Sequence, residues 1–158
     1  MARKAIALTV GLNRLHRGAY PGVPDLAGCE RDAIVMADLA ASAGFEVQPA
    51  LLSESATRGG FIQAVQSIAE RLDAPGDLFF LHYSGHGSQW PDDPSGNELQ
   101  DERDGLDETL CLYDAQLVDD ELLRLWAHFR PGVRILFVAD CCHGGTISRG
   151  MAPATRSP

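Results

Sequence analysis

The stretch "LFFLHYSGHG", residues 78–87, decides the fold of this chain. It begins as an unbroken apolar run and ends in two histidines, a serine and two glycines. An apolar run without polar alternation is typical of a parallel strand that is buried on both faces of its sheet. Functional groups in such sheets lie beyond the carboxyl ends of the strands. The stretch therefore predicts a buried strand that carries reactive side chains at its tip.

The rest of the chain alternates buried strands with amphipathic helices, which predicts a mostly parallel α/β sheet with helices on both faces. Residues 91–108 contain eight acidic side chains and one arginine, and they are predicted to form a long loop or hairpin. Strands are predicted at 5–13, 45–52, 77–84 and 133–140, and helices at 29–44, 57–72 and 119–129.

Length and charge restrict the kinds of partner. With 158 residues, 45% of them hydrophobic, the chain is expected to form one domain. Its 13 basic and 22 acidic residues give a net charge of -9, which disfavours nucleic acid and anionic membranes and favours a cationic ligand. We find no signal peptide and no membrane-spanning run. Four cysteines without C-x-x-C spacing favour a reduced, cytoplasmic setting.

A second strand tip carries thiols. The predicted strand 133–140 runs into Asp140-Cys141-Cys142-His143-Gly144-Gly145. Neighbouring parallel strands can bring a thiol and an imidazole to one edge, which is the arrangement a cysteine nucleophile needs.

These strand tips also offer residues for two other kinds of site. A zinc site could use His82 and His86, but histidines four residues apart converge on a helix and not on a strand. Ser84 is a poor candidate for a serine hydrolase, because the Gly-x-Ser-x-Gly turn would require glycine where His82 stands.

Four ordered motifs resemble the metacaspases and their bacterial relatives, the caspase-like cysteine peptidases called orthocaspases. They are His-Tyr-Ser-Gly-His-Gly at 82–87, "DERDGLDETL" at 101–110, "VDDEL" at 118–122 and Asp-Cys-Cys-His-Gly at 140–144. The resemblance implies a caspase-like three-layer sandwich. It also implies that residues 1–158 are a large catalytic (p20-type) domain without the small (p10-type) C-terminal segment that completes the cleft.

The resemblance assigns His86 as general base and Cys142 as nucleophile. An imidazole can lower the pKa of a thiol or accept its proton. Gly87 has no side chain, so its backbone N–H could approach an oxyanion, with the N–H of Cys142 as second donor. Cys141 is the weaker nucleophile, because the family places the reactive thiol directly before His-Gly or His-Ser. His82 and His143 are interpreted as supporting groups.

The family resembled here lines its substrate pocket at the positions of Cys29, Asp32, Ser84 and Asp140, and it accepts arginine or lysine before the cleaved bond. Two carboxylates would bind a guanidinium and reject an acidic side chain. Each aspartate also has a purely structural interpretation. Asp32 would favour the dipole of a helix at its first turn, and Asp140 would be an ordinary turn residue.

The resemblance also maps calcium ligands onto Asp101, Asp119 and Asp120, although the spacing does not fit an EF-hand and a solvated charge run is the alternative. No organic cofactor is expected. Arg149 and Arg156 are candidates for self-processing. The predicted function is a cysteine endopeptidase acting on proteins and peptides after Arg or Lys, stimulated by calcium. The alternative is a non-catalytic interaction module, against which the presence of both His86 and Cys142 argues.

Overall fold

The structure is a computed structural model that describes residues 3–91 and 106–141. Its element order confirms the α/β class predicted from the sequence. The described helices are α1 (Cys29–Ser42), α2 (Arg58–Arg71) and α3 (Asp119–Trp126). The described strands are β1 (Ala5–Gly11), β2 (Glu46–Val47), β3 (Leu51–Leu52), β4 (Leu78–Ser84), β5 (Gly87–Pro91), β6 (Leu106–Cys111), β7 (Gln116–Val118) and β8 (Arg134–Asp140).

The main sheet has parallel strands in the order β2-β1-β4-β8, with β3 also paired to β1. Strands β1, β4 and β8 are paired along their whole length and end together, in a row formed by Gly11, Ser84 and Asp140. Because all three strands run in the same direction, the residues that follow them leave the sheet at one edge. We call this edge the rim, defined by Gly11, Ser84 and Asp140.

Two predicted elements differ from the structure. The predicted strand 45–52 is divided into β2 and β3, and Pro49 lies between them. Proline has no N–H to donate to the ladder, so the strand cannot continue through it. The predicted helix 119–129 ends as an α-helix at Trp126.

The predicted loop or hairpin at 91–108 is flanked by a second sheet that the sequence analysis did not anticipate. Strands β5, β6 and β7 pair antiparallel in that order. Residues 92–105, which connect β5 to β6, lie outside the described residues.

The two faces of the main sheet are covered by different helices. On one face, α2 and α3 contribute Phe61, Val65 and Leu122 to a core that includes Phe79 and Leu81. Full burial of each such side chain contributes about 1.5–3 kcal/mol. On the other face, α1 packs its Ala40 against a small cluster formed with Ala7 and Phe80. The structure thus has the helix, sheet and helix layers of a caspase-like sandwich.

Helix α1 approaches the end of β1 unusually closely. A Cβ placed on Gly11 would lie 2.3 Å from the carbonyl oxygen of Cys29 and 2.8 Å from the Cβ of Ala33. Only glycine fits at this contact. Gly28, with φ of 108°, turns the chain into α1. The N-terminal turn of α1 is therefore held directly against the rim.

Strand β8 lies at one end of the described main sheet. On the α1 side of the sheet, its Leu136 and Val138 remain 50% and 39% exposed. In the described ranges 3–91 and 106–141, no helix has the length and apolarity required to cross a bilayer.

Candidate active site

Two aspartates and a serine lie together at the rim. The Ser84 hydroxyl lies 3.5 Å from Oδ2 of Asp32, at the long end of the hydrogen-bond range. Ser84 is also the register partner of Asp140, and the Gly85 N–H donates to the Asp140 carbonyl at 3.3 Å. Both aspartates are exposed. Three residues from α1, β4 and β8 thus form one acidic group at the sheet edge.

Cys29, the fourth residue assigned to the substrate pocket, is the first residue of α1 and only 8% exposed. Its carbonyl oxygen is the atom that a Cβ on Gly11 would meet. Its position therefore places it in the packing between α1 and β1, at the base of the acidic group.

His86 follows β4 by two residues, and its ring is anchored by the chain that precedes α1. Its Nε2 atom lies 2.9 Å from the carbonyl oxygen of Pro24. A carbonyl oxygen can only accept, so Nε2 carries the proton in this contact. In the neutral ring the other nitrogen, Nδ1, is then unprotonated and able to accept a proton. An unprotonated ring nitrogen is what a general base requires, and here it is Nδ1.

Gly87, the predicted oxyanion donor, is the first residue of β5 and pairs with Leu110 of β6. The preceding carbonyl, that of His86, accepts a hydrogen bond from the Cys111 N–H at 3.0 Å and from the Tyr83 hydroxyl at 2.7 Å. The peptide between His86 and Gly87 is therefore held at its oxygen by two donors.

Only the first of the two adjacent cysteines belongs to the described residues. Cys142 and His143 lie outside the described residues. Cys141 follows β8, is partly buried, and packs against the core on the α2 and α3 side. There it borders a mainly apolar cavity of about 150 Å³, whose lining also includes Gly87, Leu122 and Phe137.

A buried imidazole lies one row below the rim. His82 is 3% exposed, and its Nδ1 atom has no hydrogen-bond partner in the described part of the chain. Its register partners are Thr9 and Val138. Burial lowers the pKa of His82 below its usual 6.5, against the opposing effect of the Asp140 and Asp32 carboxylates. His82 is therefore held as a neutral ring beneath two acids.

The predicted metal ligands are only partly described. Asp101 lies outside the described residues. Asp119 and Asp120 begin α3, where the Asp120 N–H donates to Oδ1 of Asp119 at 2.7 Å. Oδ2 of Asp120 lies 3.5 Å from Nη2 of Arg124. Over residues 3–91 and 106–141, no three His, Cys, Asp or Glu side chains are grouped so that they could hold a metal, whether calcium or zinc.

Three residues of the site were missed by the sequence analysis. Pro24 belongs to an irregular loop and contributes a backbone oxygen, for which no sequence signal exists. Tyr83 belongs to an apolar strand, where a tyrosine is indistinguishable from a core residue. Gly11 could have been suspected, because glycine at a strand end often marks a close backbone approach.

Comparisons with known proteins agree on one family. The sequence profile of the "Metacaspase, peptidase C14 domain" matches residues 3–149. Metacaspase-1A of Aspergillus fumigatus is 37% identical over 95 residues, which are 57% of this chain and 22% of that protein. Metacaspase-1A of Aspergillus oryzae is 42% identical over 77 residues, which are 46% of this chain and 17% of that protein.

A solved structure extends the likeness to nearly the whole chain. The crystal structure of a protein from Geobacter sulfurreducens superposes with a TM-score of 0.78 at 46% identity, over 92% of this chain and 53% of that one. The chain therefore spans about a fifth of the length of the curated relatives and about half of the solved one. With its profile match over residues 3–149, a caspase-like layered fold and His86 at the rim, the chain belongs to the metacaspase family of peptidases.

Proposed function

We propose that this chain is the catalytic domain of a cysteine endopeptidase that cleaves after arginine or lysine, with Cys142 as nucleophile and His86 as general base. The observation that carries the proposal is the register of β4 and β8. Ser84 and Asp140 are paired, and His86 and Cys142 each follow their member of that pair by two residues. The base and the nucleophile therefore each come two residues after the rim in the sequence, behind neighbouring strands.

The chemistry follows from the tautomer of His86. Nδ1 of His86 takes the thiol proton of Cys142, and the sulfur forms a bond to the scissile carbonyl carbon while the carbonyl π pair moves to oxygen. The N–H groups of Gly87 and Cys142 donate to that oxyanion. When it collapses, the C–N bond breaks and the leaving amine takes the proton from His86. Water, activated by His86, then hydrolyses the thioester and restores the thiol.

The environment of Cys141 supports the choice of its neighbour as nucleophile. Cys141 packs against the core on the α2 and α3 side, whereas Asp32 and Asp140 belong to the α1 side of the sheet. A small, partly buried thiol in that position is well explained as a packing residue.

The acidic group at the rim supports a basic substrate side chain. Asp32 lies 3.5 Å from the Ser84 hydroxyl, Asp140 is the register partner of Ser84, and the net charge of -9 adds a favourable field for cations. A guanidinium can donate to two carboxylates at once, whereas an acidic side chain would be repelled by both.

The decisive experiment measures turnover of fluorogenic peptides that differ only in having Arg, Lys or Asp before the cleaved bond, with the full-length protein. We expect turnover of the Arg and Lys peptides only. Cys142→Ala should abolish it, and Cys141→Ala, the matched control, should retain it. Equal loss in both variants, or preference for the Asp peptide, contradicts the proposal.

We further propose that calcium binds Asp119 and Asp120 together with Asp101 and stimulates the peptidase. Carboxylate oxygens are the ligands that calcium prefers. Calcium should raise the melting temperature and the turnover of the wild-type protein and affect Asp119→Asn much less, with Asp38→Asn as an equally conservative control. Identical calcium responses in wild type and Asp119→Asn would contradict these ligands.

We also propose that the protein processes itself after Arg149 or Arg156. Intact mass spectrometry should detect cleavage products in the wild-type protein and none in Cys142→Ala. Persistence of the same products in that variant would assign the cuts to another protease.

A small C-terminal (p10-type) segment is proposed to cover the outer side of β8. Two observations support it: Leu136 and Val138 of β8, the end strand of the described sheet, are exposed, and the chain spans about half of its solved relative. In the full-length protein, hydrogen exchange should be slow at residues 134–140, and Leu136→Asp should accelerate it. Fast exchange at 134–140 in the wild-type protein contradicts this partner.

A further inference from the structure

The peptide group between His86 and Gly87 is fixed by its oxygen. The carbonyl of His86 accepts the Cys111 N–H at 3.0 Å and the Tyr83 hydroxyl at 2.7 Å. A trans peptide is planar, with its C=O and N–H pointing in opposite directions. The two donors that hold the oxygen therefore also set the direction of the Gly87 N–H.

The ladder between β5 and β6 leaves that N–H available. Hydrogen-bonded and non-hydrogen-bonded pairs alternate along an antiparallel ladder. The Cys111 N–H bonds to His86, so the next pair, Gly87 with Leu110, is of the non-hydrogen-bonded kind. In such a pair the N–H points away from the partner strand, and β5 is the end strand of the described small sheet. The Gly87 N–H therefore points away from β6.

Tyr83 is positioned to hold this peptide. Its side chain is 0% exposed, at the end of the buried run of β4. Its hydroxyl also lies 2.9 Å from the carbonyl oxygen of Cys111, so one proton is shared between carbonyls of two segments. A Cβ on Gly85 would lie 2.7 Å from the Tyr83 oxygen, and the absence of a side chain there lets the chain fold over the hydroxyl.

The hydroxyl remains a donor over the whole working range of pH. Burial raises the pKa of the Tyr83 phenol well above its usual 10.0, with a smaller contribution from Cys111. A carbonyl that accepts hydrogen bonds polarises its amide, which strengthens the N–H of the same peptide as a donor.

We infer that Tyr83 is a positioning residue for the oxyanion site: its buried hydroxyl holds the His86–Gly87 peptide so that the Gly87 N–H can donate to the carbonyl oxygen of the substrate as it becomes negative. This inference rests on the proposed cysteine peptidase function. It does not make Tyr83 a catalytic residue, because a fully buried side chain does not touch the substrate. Its action is transmitted through one rigid peptide.

The test removes one oxygen atom and keeps the ring. In the full-length protein, Tyr83→Phe should lower kcat for the arginine peptide by about tenfold to a hundredfold, somewhat less than the complete loss of an oxyanion donor, with KM within about twofold. The matched control is Tyr20→Phe. Tyr20 is also buried, at 2% exposure, and its hydroxyl has no partner among the described residues, so kcat should not change.

Two probes of the thiol separate positioning from general damage. A peptide aldehyde that ends in arginine adds to Cys142: the S–C bond forms, the π pair moves to oxygen, and that oxygen is stabilised at the oxyanion site before it takes up the thiol proton. Iodoacetamide alkylates the same sulfur by displacing iodide, and no oxyanion forms. Tyr83→Phe should weaken aldehyde binding at least about tenfold and leave the alkylation rate unchanged.

The outcomes distinguish the two proposals. If the wild-type protein shows no turnover that depends on Cys142, the proposed function fails. If wild type is active and Tyr83→Phe keeps full kcat and aldehyde affinity, the function stands and the inference is overturned. Equal loss of aldehyde binding and alkylation would also overturn it, since that pattern indicates a disrupted site and not a misdirected N–H.

Discussion

Nε2 of His86 lies 2.9 Å from the carbonyl oxygen of Pro24, 62 residues earlier in the chain. This contact orients the ring and selects its tautomer, because the proline carbonyl can only accept. The His86 ring, which follows β4, thus gains a fixed direction from the loop that precedes α1.

The first prediction concerns that tautomer. In ¹⁵N spectra recorded at neutral pH, one pair of imidazole nitrogen resonances should disappear in His86→Gln. That pair should be the one of an imidazole protonated at Nε2. His86→Gln should also lower kcat by about a hundredfold to ten-thousandfold, the usual contribution of general base catalysis. An Nδ1–H tautomer for this ring would contradict the role assigned to Pro24.

The second prediction concerns the acidic group at the rim. Asp32→Asn and Asp140→Asn should each lower kcat/KM for the arginine peptide by about tenfold to a hundredfold, because a charge-assisted hydrogen bond contributes about 1.5–3 kcal/mol. Asp38→Asn, an exposed aspartate on the same helix, is the control and should leave kcat/KM within about twofold. If all three variants behave alike, the effect is one of overall charge and the assigned pocket is wrong.

The third prediction concerns the contact between β1 and α1. Gly11→Ala places a methyl group 2.3 Å from the Cys29 carbonyl oxygen, so α1 must move. Overpacking of this kind destabilises by about 1–3 kcal/mol, and the displaced Asp32 should raise KM for the arginine peptide. Urea unfolding and steady-state kinetics measure the two effects.

Gly59→Ala is the matched control for that variant. Gly59 belongs to α2, and a Cβ there meets nothing within 4 Å. Replacement in an open helical position should stabilise the protein by about 0.5–1 kcal/mol. Unchanged KM and stability in Gly11→Ala would mean that β1 and α1 are farther apart than the structure has them.

The fourth prediction concerns His82 and pH. Burial lowers the pKa of this histidine below the 6.5 of the unfolded chain, so between the two values the unfolded state binds the extra proton. The stabilisation from neutral His82 is thus fully present above pH 6.5 and is lost as the pH falls toward the lower, folded-state pKa. The change in the free energy of unfolding per pH unit that His82 causes cannot exceed the value for the uptake of one proton.

Urea unfolding from pH 7.5 down to 5.5 measures this slope, and His82→Gln should make it shallower. The other four histidines are present in both proteins, so the difference between them isolates His82. The carboxylates whose pKa values are lowered, Glu46, Asp73 and Asp77, lose their contribution only at more acidic pH. Parallel curves for wild type and His82→Gln would contradict a buried neutral ring.

The strands show which parts of the fold could be predicted from the sequence and which could not. The run 78–84 is apolar without alternation, and this was enough to predict a buried parallel strand with His86 beyond its tip. Pro49 could have warned that the strand 45–52 is divided, since proline cannot donate to the ladder. Strands β5 to β7 escaped prediction because their neighbourhood is dominated by acidic residues, which are depleted in strands.

The sequence by itself determined the α/β class and the polar ends of β4 and β8, because these depend on local apolar patterning and on residue types. Only the tertiary structure decided that Pro24 anchors His86, that Tyr83 holds the peptide before Gly87, and that Asp32 lies beside Ser84. Each of these contacts joins segments whose relative position is set by strand register and by the packing of α1 on Gly11. No local pattern encodes such distances, because they arise only when separate elements are packed on one sheet.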